Sequence, residues 1–72
     1  MPTKDERIRT IGARVRAARV ASGQTQAHLA GKVGVHRTRL SAIEAGRANM
    51  TVATLYGLAD NLGVPITDLL AP

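Results

Sequence analysis

Hydrophobic residues recur along this chain at intervals of three and four positions, which is the spacing of one buried face on an α-helix. The first such stripe contains four residues: Ile8, Ile11, Val15 and Ala18. It follows Thr3-Lys4-Asp5-Glu6, in which a Thr cap precedes a Glu by three positions, the capping-box pattern of a helix start. The pattern therefore predicts a first helix from about residue 4 to residue 22, with Gly23 ending it.

Two short helices joined by a tight turn are predicted within residues 25–46. The first begins after Thr25, whose hydroxyl can accept a hydrogen bond from a free backbone N–H of the first turn. It ends at Gly34, because glycine adopts the left-handed conformation of a helix end without a steric penalty. The second runs over about residues 37–45 and ends at Gly46 for the same reason.

The second helix of this pair has a short polar outer face. Leu40 and Ile43, three positions apart, form its inward apolar stripe. Three small residues lie on the opposite side and two arginines flank them: Thr38, Ser41, Ala42, Arg37 and Arg39. A helix of this kind fits a DNA major groove, which is about 12 Å wide and admits one α-helix. The pattern therefore predicts a DNA-binding helix-turn-helix over residues 25–46.

Two further helices are predicted in the last third of the chain. Thr51 caps the fourth helix, which ends at Gly63. Its inner stripe contains four residues: Leu55, Leu58, Ala59 and Leu62. Pro65 stands near the start of a fifth, short helix through residue 70. We predict an all-α fold, a compact five-helix bundle that forms one domain over residues 1–72.

The distribution of charge divides the chain into two parts. Residues 1–47 carry all ten Lys and Arg and three of the five acids, whereas residues 48–72 carry two acids and no base. The first part therefore suits a polyanion such as DNA, and the second does not. An apolar excess in this second part, about residues 51–72, predicts a homodimer surface. The residues that we assign to this surface are Tyr56, Val64, Ile66, Leu69 and Leu70. The alternative is that they only close the core.

Composition excludes several other classes of function. The chain has no cysteine, so no disulfide or thiolate metal site is possible. His28 and His36 lie on different predicted helices without partners, so we expect no metal, cofactor, small-molecule ligand or enzymatic activity. No uncharged run exceeds twelve residues, the length of residues 48–59, whereas a membrane-spanning helix needs about 20. Asp5 and Glu6 stand where a signal peptide is apolar, so we expect a cytoplasmic protein.

Short motifs spread over residues 8–70 form a combined pattern that is more specific than any one of them. They are Ile11-Gly12, Arg14, Arg19, Gln26, Leu29-Ala30, Gly34-Val35, Leu40, Ile43-Glu44, Gly46-Arg47, Asn49, Leu55, Leu58-Ala59 and Leu62-Gly63-Val64. This pattern resembles the Cro/C1-type (XRE-like) helix-turn-helix family, which includes the restriction–modification controller proteins. The resemblance implies a lambda-repressor-like DNA-binding domain. It also implies that Arg19 and Glu44 form a structural ion pair between the first helix and the recognition helix.

Arg37 is the leading candidate for reading a base, because it lies in the first turn of the recognition helix and Arg binds guanine through two hydrogen bonds. Thr38, Ser41 and Ala42 are the other predicted base-reading residues. The predicted phosphate contacts are Gln26, His36, Arg39, Arg47, Asn49 and Arg16. Local roles are open for three of them: Gln26 as a polar first-turn residue, His36 as a helix cap and Asn49 as a turn residue.

These features predict a sequence-specific regulator that binds double-stranded DNA. Two recognition helices of a homodimer would enter successive major grooves about 34 Å apart on a palindromic operator. A controller protein, a phage-type repressor and a transcriptional antitoxin all fit this description. The alternative is an antitoxin or other protein-interaction module that uses the same fold. DNA binding predicts a steep loss of affinity with rising salt, and the alternative does not.

Overall fold

The computed structural model describes residues 1–70, which contain five helices and no strand. The helices are α1 (Lys4–Ala21), α2 (Gln26–Val33), α3 (Arg37–Glu44), α4 (Val52–Leu62) and α5 (Ile66–Leu70). The predicted all-α, five-helix fold is confirmed. Ser22 and Ala45, predicted as the last residues of α1 and α3, are the C-caps of these helices. Residues 71 and 72 of the predicted dimerisation region lie outside the described residues.

Each of the first four helices begins at a side chain that caps its backbone. The hydroxyl oxygens of Thr3, Thr25 and Thr51 each accept a hydrogen bond of 3.1 Å from the amide N–H three residues later. His36 caps α3 instead through its ring nitrogen Nδ1, which accepts from the Thr38 amide at 3.2 Å. These caps satisfy N–H groups that have no partner inside the helix, and they confirm the predicted helix starts.

The core is built from aliphatic side chains of all five helices. Six of them are almost completely buried: Val15, Leu29, Leu40, Ile43, Leu58 and Leu69. The predicted inner stripes of α3 and α4 are confirmed. In α1 only Val15 is fully buried, whereas Ile8, Ile11 and Ala18 are half-buried. Burial of each large aliphatic side chain contributes about 1.5–3 kcal/mol, so these six residues provide much of the driving force for folding.

The backbone of α1 rests directly on the C-terminal end of α3. A Cβ atom added at Gly12 would collide with the carbonyl oxygen of Ile43 and lie 3.2 Å from that of Glu44. A glycine is therefore required at this crossing, because any side chain would push the two helices apart. The close contact holds α3 against the body of the domain and leaves its opposite face uncovered. None of the helices in residues 1–70 is long and apolar enough to cross a membrane.

Candidate nucleic-acid interface

The outer face of α3 carries the residues that the sequence assigns to base reading. Arg37, Thr38 and Arg39 are exposed, while Ser41 and Ala42 are half-buried at the edges of this face. On the opposite side Leu40 and Ile43 have no exposed surface. The helix therefore presents one polar, cationic side to solvent along its first turn, and its small side chains allow another molecule to approach the backbone closely.

The N-terminus of α3 depends on His36. Because Nδ1 accepts the hydrogen bond from the Thr38 amide, the neutral ring carries its proton on Nε2. The side chain is exposed, so Nε2–H is available to an acceptor outside the protein. His36 thus caps α3, one of the two roles that the sequence left open. Its Nε2–H stays available for the other role, a phosphate contact.

Arg19 and Glu44 join α1 to α3 through two parallel hydrogen bonds. Arg19 Nε lies 2.7 Å from Glu44 Oε2, and Arg19 Nη2 lies 3.0 Å from Oε1. The two side chains are only 13% and 2% exposed, so water screens the pair weakly. The hydrogen bond to Glu44 raises the pKa of Arg19 above its usual value, against the opposing effect of burial. Arg19 therefore keeps its charge throughout the neutral range.

Gln26, the first residue of α2, belongs to the same network. Its Nε2 donates to Glu44 Oε1 at 3.2 Å, and its side chain is half-buried. Glu44 thereby holds Gln26 at the entrance of α2, next to the start of the helix-turn-helix. The second N–H of Gln26 Nε2 has no partner from this network, so it can still donate a hydrogen bond to a phosphate.

The turn between α1 and α2 contains a structural residue that the sequence does not reveal. Arg19 Nη1 donates to the carbonyl oxygen of Gln24 at 2.9 Å, and Gln24 Nε2 donates to the carbonyl oxygen of Asn61 at 3.2 Å. These bonds connect the ion pair to the end of α4. Nothing in the hydrophobic pattern indicates them, because both acceptors are backbone carbonyl oxygens, and that of Asn61 lies 37 positions from Gln24.

The loop after α3 brings two predicted phosphate contacts together. Arg39 Nη2 donates to the carbonyl oxygen of Asn49 at 2.8 Å, and Asn49 Oδ1 accepts from the Met50 amide at 2.8 Å. Asn49 therefore has the local turn role that the sequence left open. Arg47 is exposed, and its amide donates to the carbonyl oxygen of Ala42 at 2.9 Å. The backbone of Arg47 is thus anchored to α3 while its guanidinium faces solvent.

The assignment of Leu69 to the predicted dimer surface is wrong. Leu69 is 1% exposed and belongs to the core, because the inner side of α5 closes the core against α1 and α4. Val64 and Ile66 are half-buried against the same core. The exposed residues are Tyr56 and Leu70, at 52% and 50%.

Val52 is a further exposed apolar residue that the sequence reasoning missed. It is 69% exposed and lies one helical turn before Tyr56. The spacing of four positions between two apolar residues outside the inner stripe of α4 was the available signal. Val52 and Tyr56 therefore form an apolar pair on the outer side of α4.

Comparison with known proteins gives consistent matches over nearly the whole chain. Residues 10–71 match the family model described as helix-turn-helix domain. The chain is 39% identical over 62 residues to the uncharacterized HTH-type transcriptional regulator y4dJ of Sinorhizobium fredii, a match that covers 86% of this chain and 80% of that protein.

Many solved structures share the fold, among them two regulators. The restriction–modification controller protein C.AhdI of Aeromonas hydrophila superposes with a TM-score of 0.82 at 29% identity, over 86% of this chain and 94% of the controller. The biofilm master regulator SinR in complex with DNA superposes with a TM-score of 0.79 at 33% identity, over 83% of this chain and 97% of SinR.

Proposed function

The chain belongs to the helix-turn-helix domain family of DNA-binding transcription regulators, which are not enzymes, and we propose that it recognises a palindromic operator as a homodimer. The observation that carries the proposal is the outer face of α3, on which Arg37 and Thr38 are exposed while Leu40 and Ile43 are buried. This face is the part of the molecule whose shape and charge suit the major groove.

Base recognition is assigned to the first turn of α3 and the positions after it. The guanidinium of Arg37 donates two hydrogen bonds to one guanine, and the methyl group of Thr38 contacts a thymine methyl. Ser41 and Ala42 are small, so they let α3 enter deeply and contribute little discrimination of their own. Specificity therefore depends mainly on Arg37.

Phosphate contacts surround this helix and set its position in the groove. Gln26 donates from the start of α2, where the free N–H groups of the helix also favour an anion. His36 donates through Nε2, Arg39 acts from α3, and Arg47 acts from the loop that follows α3. Asn49 and Arg16 complete the set that we propose. These groups contribute most of the affinity and its salt dependence.

Dimerisation is assigned to residues 48–72, the segment that contains no Lys or Arg. Tyr56 and Leu70 are exposed apolar side chains there, with Val64 and Ile66 half-buried beside the core. None of these four residues is charged, so they can meet their copies in a partner chain without burying a charge. Two-fold symmetry then places both α3 helices on one side of the duplex, about 34 Å apart.

The likeness to the restriction–modification controller protein C.AhdI fits the biological role that we propose, a small regulator of its own expression. A protein that regulates by its own concentration needs steep binding, and dimerisation provides it because two half-sites are occupied together. Such a regulator acts where the DNA is, so we place it in the cytoplasm.

The test of the proposed function is selection of bound sequences from a randomised duplex library, followed by sedimentation of the complex. We expect an enriched inverted repeat with half-site centres one helical turn apart, bound by two chains. Binding of the enriched duplex is then measured over a range of salt concentrations, and we expect a steep decline. A library without enrichment, or binding that is insensitive to salt, contradicts DNA recognition and favours a protein partner.

A further inference from the structure

The structure divides the four arginines in the first four turns of α1 into two pairs. Arg7 and Arg14 face α5: Arg7 lines a groove with Leu70, and Arg14 Nη1 donates to the carbonyl oxygen of Asp68 at 3.3 Å. Arg9 and Arg16 lie on the side that faces the end of α3. Nothing in the charge pattern separates the two pairs, because all four residues lie in one cationic stretch of the sequence.

Arg9 lies against the loop that follows the recognition helix. Gly46 has a φ of +75°, and a Cβ added there would lie 2.5 Å from Arg9 Cγ and 2.9 Å from Arg9 Cα. The chain thus passes directly over Arg9 just before it reaches Arg47. Two arginines from distant parts of the sequence are therefore neighbours at the C-terminal end of α3, one on α1 and one in the loop.

The charges near this end of α3 make the position of Arg9 significant. The last carbonyl groups of a helix carry a partial negative charge, and α3 has no basic residue in its last turn. A recognition helix in the major groove brings both of its ends near the phosphate strands. Arg19, the cation beside this end, is already paired with Glu44, so a further cation here favours DNA. Within residues 1–70, the side chain of Arg9 forms no hydrogen bond and no ion pair, so its guanidinium is available.

We propose that Arg9 and Arg47 together bind the phosphate strand that borders the C-terminal end of α3. The DNA-binding surface then extends beyond the helix-turn-helix onto α1, and Arg9 belongs to it while Arg7 does not. This inference rests on the proposed function, because it assigns a further contact to the same DNA complex. It adds a residue that the hydrophobic pattern and the helix-turn-helix itself do not single out.

The test compares Arg9→Ala with the matched control Arg7→Ala. Both variants remove one positive charge from an exposed position of the same helix, and alanine preserves the helix. Binding to the duplex enriched by selection is measured against salt concentration for each variant and for the wild-type protein. We expect Arg9→Ala to bind several-fold more weakly and to lower the slope of log affinity against log salt by about 0.9, the value of one lost phosphate contact. We expect Arg7→Ala to keep the wild-type slope.

Thermal unfolding of both variants separates a DNA contact from a structural role, and sedimentation shows whether Arg7→Ala, beside Leu70, keeps the wild-type oligomeric state, as a valid control must. Equal melting temperatures with unequal slopes support the proposal. Equal slopes overturn it, and so does a slope difference that accompanies a lower melting temperature of Arg9→Ala alone. If the wild-type chain binds no duplex, the proposed function fails as well. If the wild-type chain binds and the two variants behave alike, only the assignment of Arg9 fails.

Discussion

Helices α3 and α4 pack into the same core and differ in what they present to the outside. Each buries leucine or isoleucine on one face, Leu40 and Ile43 in α3 and Leu58 in α4. The outer face of α3 carries exposed arginines, whereas that of α4 carries Val52 and Tyr56. The comparison teaches that the buried apolar face of each helix forms the core. The exposed residues on the opposite face determine which kind of partner that helix can bind.

The charge distribution extends this difference to the two parts of the chain. Every Lys and Arg lies at or before position 47, so α4 and α5 carry no basic residue. A polyanion is attracted to one side of the molecule, and a second neutral, apolar surface can meet the other side without repulsion. The two binding functions that we propose therefore depend on different helices, DNA binding on α3 and dimerisation on α4 and α5, and variants can disturb one without the other.

The largest effect is expected on the apolar side, from Leu69→Lys compared with Leu70→Lys. Leu69 is in the core, so an unpaired ammonium there should cost at least about 4 kcal/mol, which is close to the whole stability of so small a domain. Circular dichroism should show an unfolded chain. Leu70 is half-exposed, so Leu70→Lys should fold normally and sediment as a monomer. A folded Leu70→Lys variant that retains the dimer mass would contradict the proposed interface.

The next effect concerns the connection between the cationic helices α1 and α3. Glu44→Ala should lower the free energy of unfolding by about 3–5 kcal/mol, because Arg19 loses its partner in a poorly hydrated site. Urea unfolding at neutral pH measures this loss. Asp60→Ala removes an exposed acid and is the control, for which a change within about 0.5 kcal/mol is expected. Similar losses for both variants would show that the ion pair has no special role.

A smaller effect tests the close crossing of α1 and α3. Gly12→Ala should destabilise the domain by about 1–3 kcal/mol, because the new methyl group collides with the carbonyl oxygen of Ile43. Gly31→Ala is the matched control inside α2, where an added Cβ meets nothing within 4 Å. It should stabilise the protein by about 0.5–1 kcal/mol. Thermal unfolding of the two variants should therefore shift in opposite directions, and a shift in the same direction would refute the packing argument.

The smallest effects concern DNA recognition and leave folding unchanged. Arg37→Ala should cost about 1–3 kcal/mol of binding and relax the preference at one base position. Arg47→Ala should weaken binding to all sequences alike. It should also reduce the slope of log affinity against log salt by about 1, the value for one lost phosphate contact. Competition between operator variants distinguishes the two outcomes. An equal loss on every sequence for Arg37→Ala would move Arg37 from the base-reading set to the phosphate set.

Local rules were sufficient to predict the helices of this protein. The caps at Thr25 and Thr51, the stop at Gly34 and the stripes of α3 and α4 depend on residues within four positions of one another, so they can be read along the chain. The ion pair between Arg19 and Glu44 was different, because only the resemblance to a family indicated it. Its two members are 25 positions apart, and no periodicity relates them.

Whatever depends on how the helices cross required the folded chain. Leu69 and Leu70 are chemically identical neighbours, and only the packing of α5 shows that one fills the core while the other faces out. Only the folded chain likewise separates the positions of Arg7 and Arg9. It alone shows the backbone contact between Gly12 and Ile43 and the hydrogen bond between Gln26 and Glu44. Sequence patterns describe which face of a helix is apolar because side-chain directions repeat every few residues. They do not describe which atoms of distant residues come into contact. Those contacts depend on the crossing angles and distances between the five helices when they pack into one core.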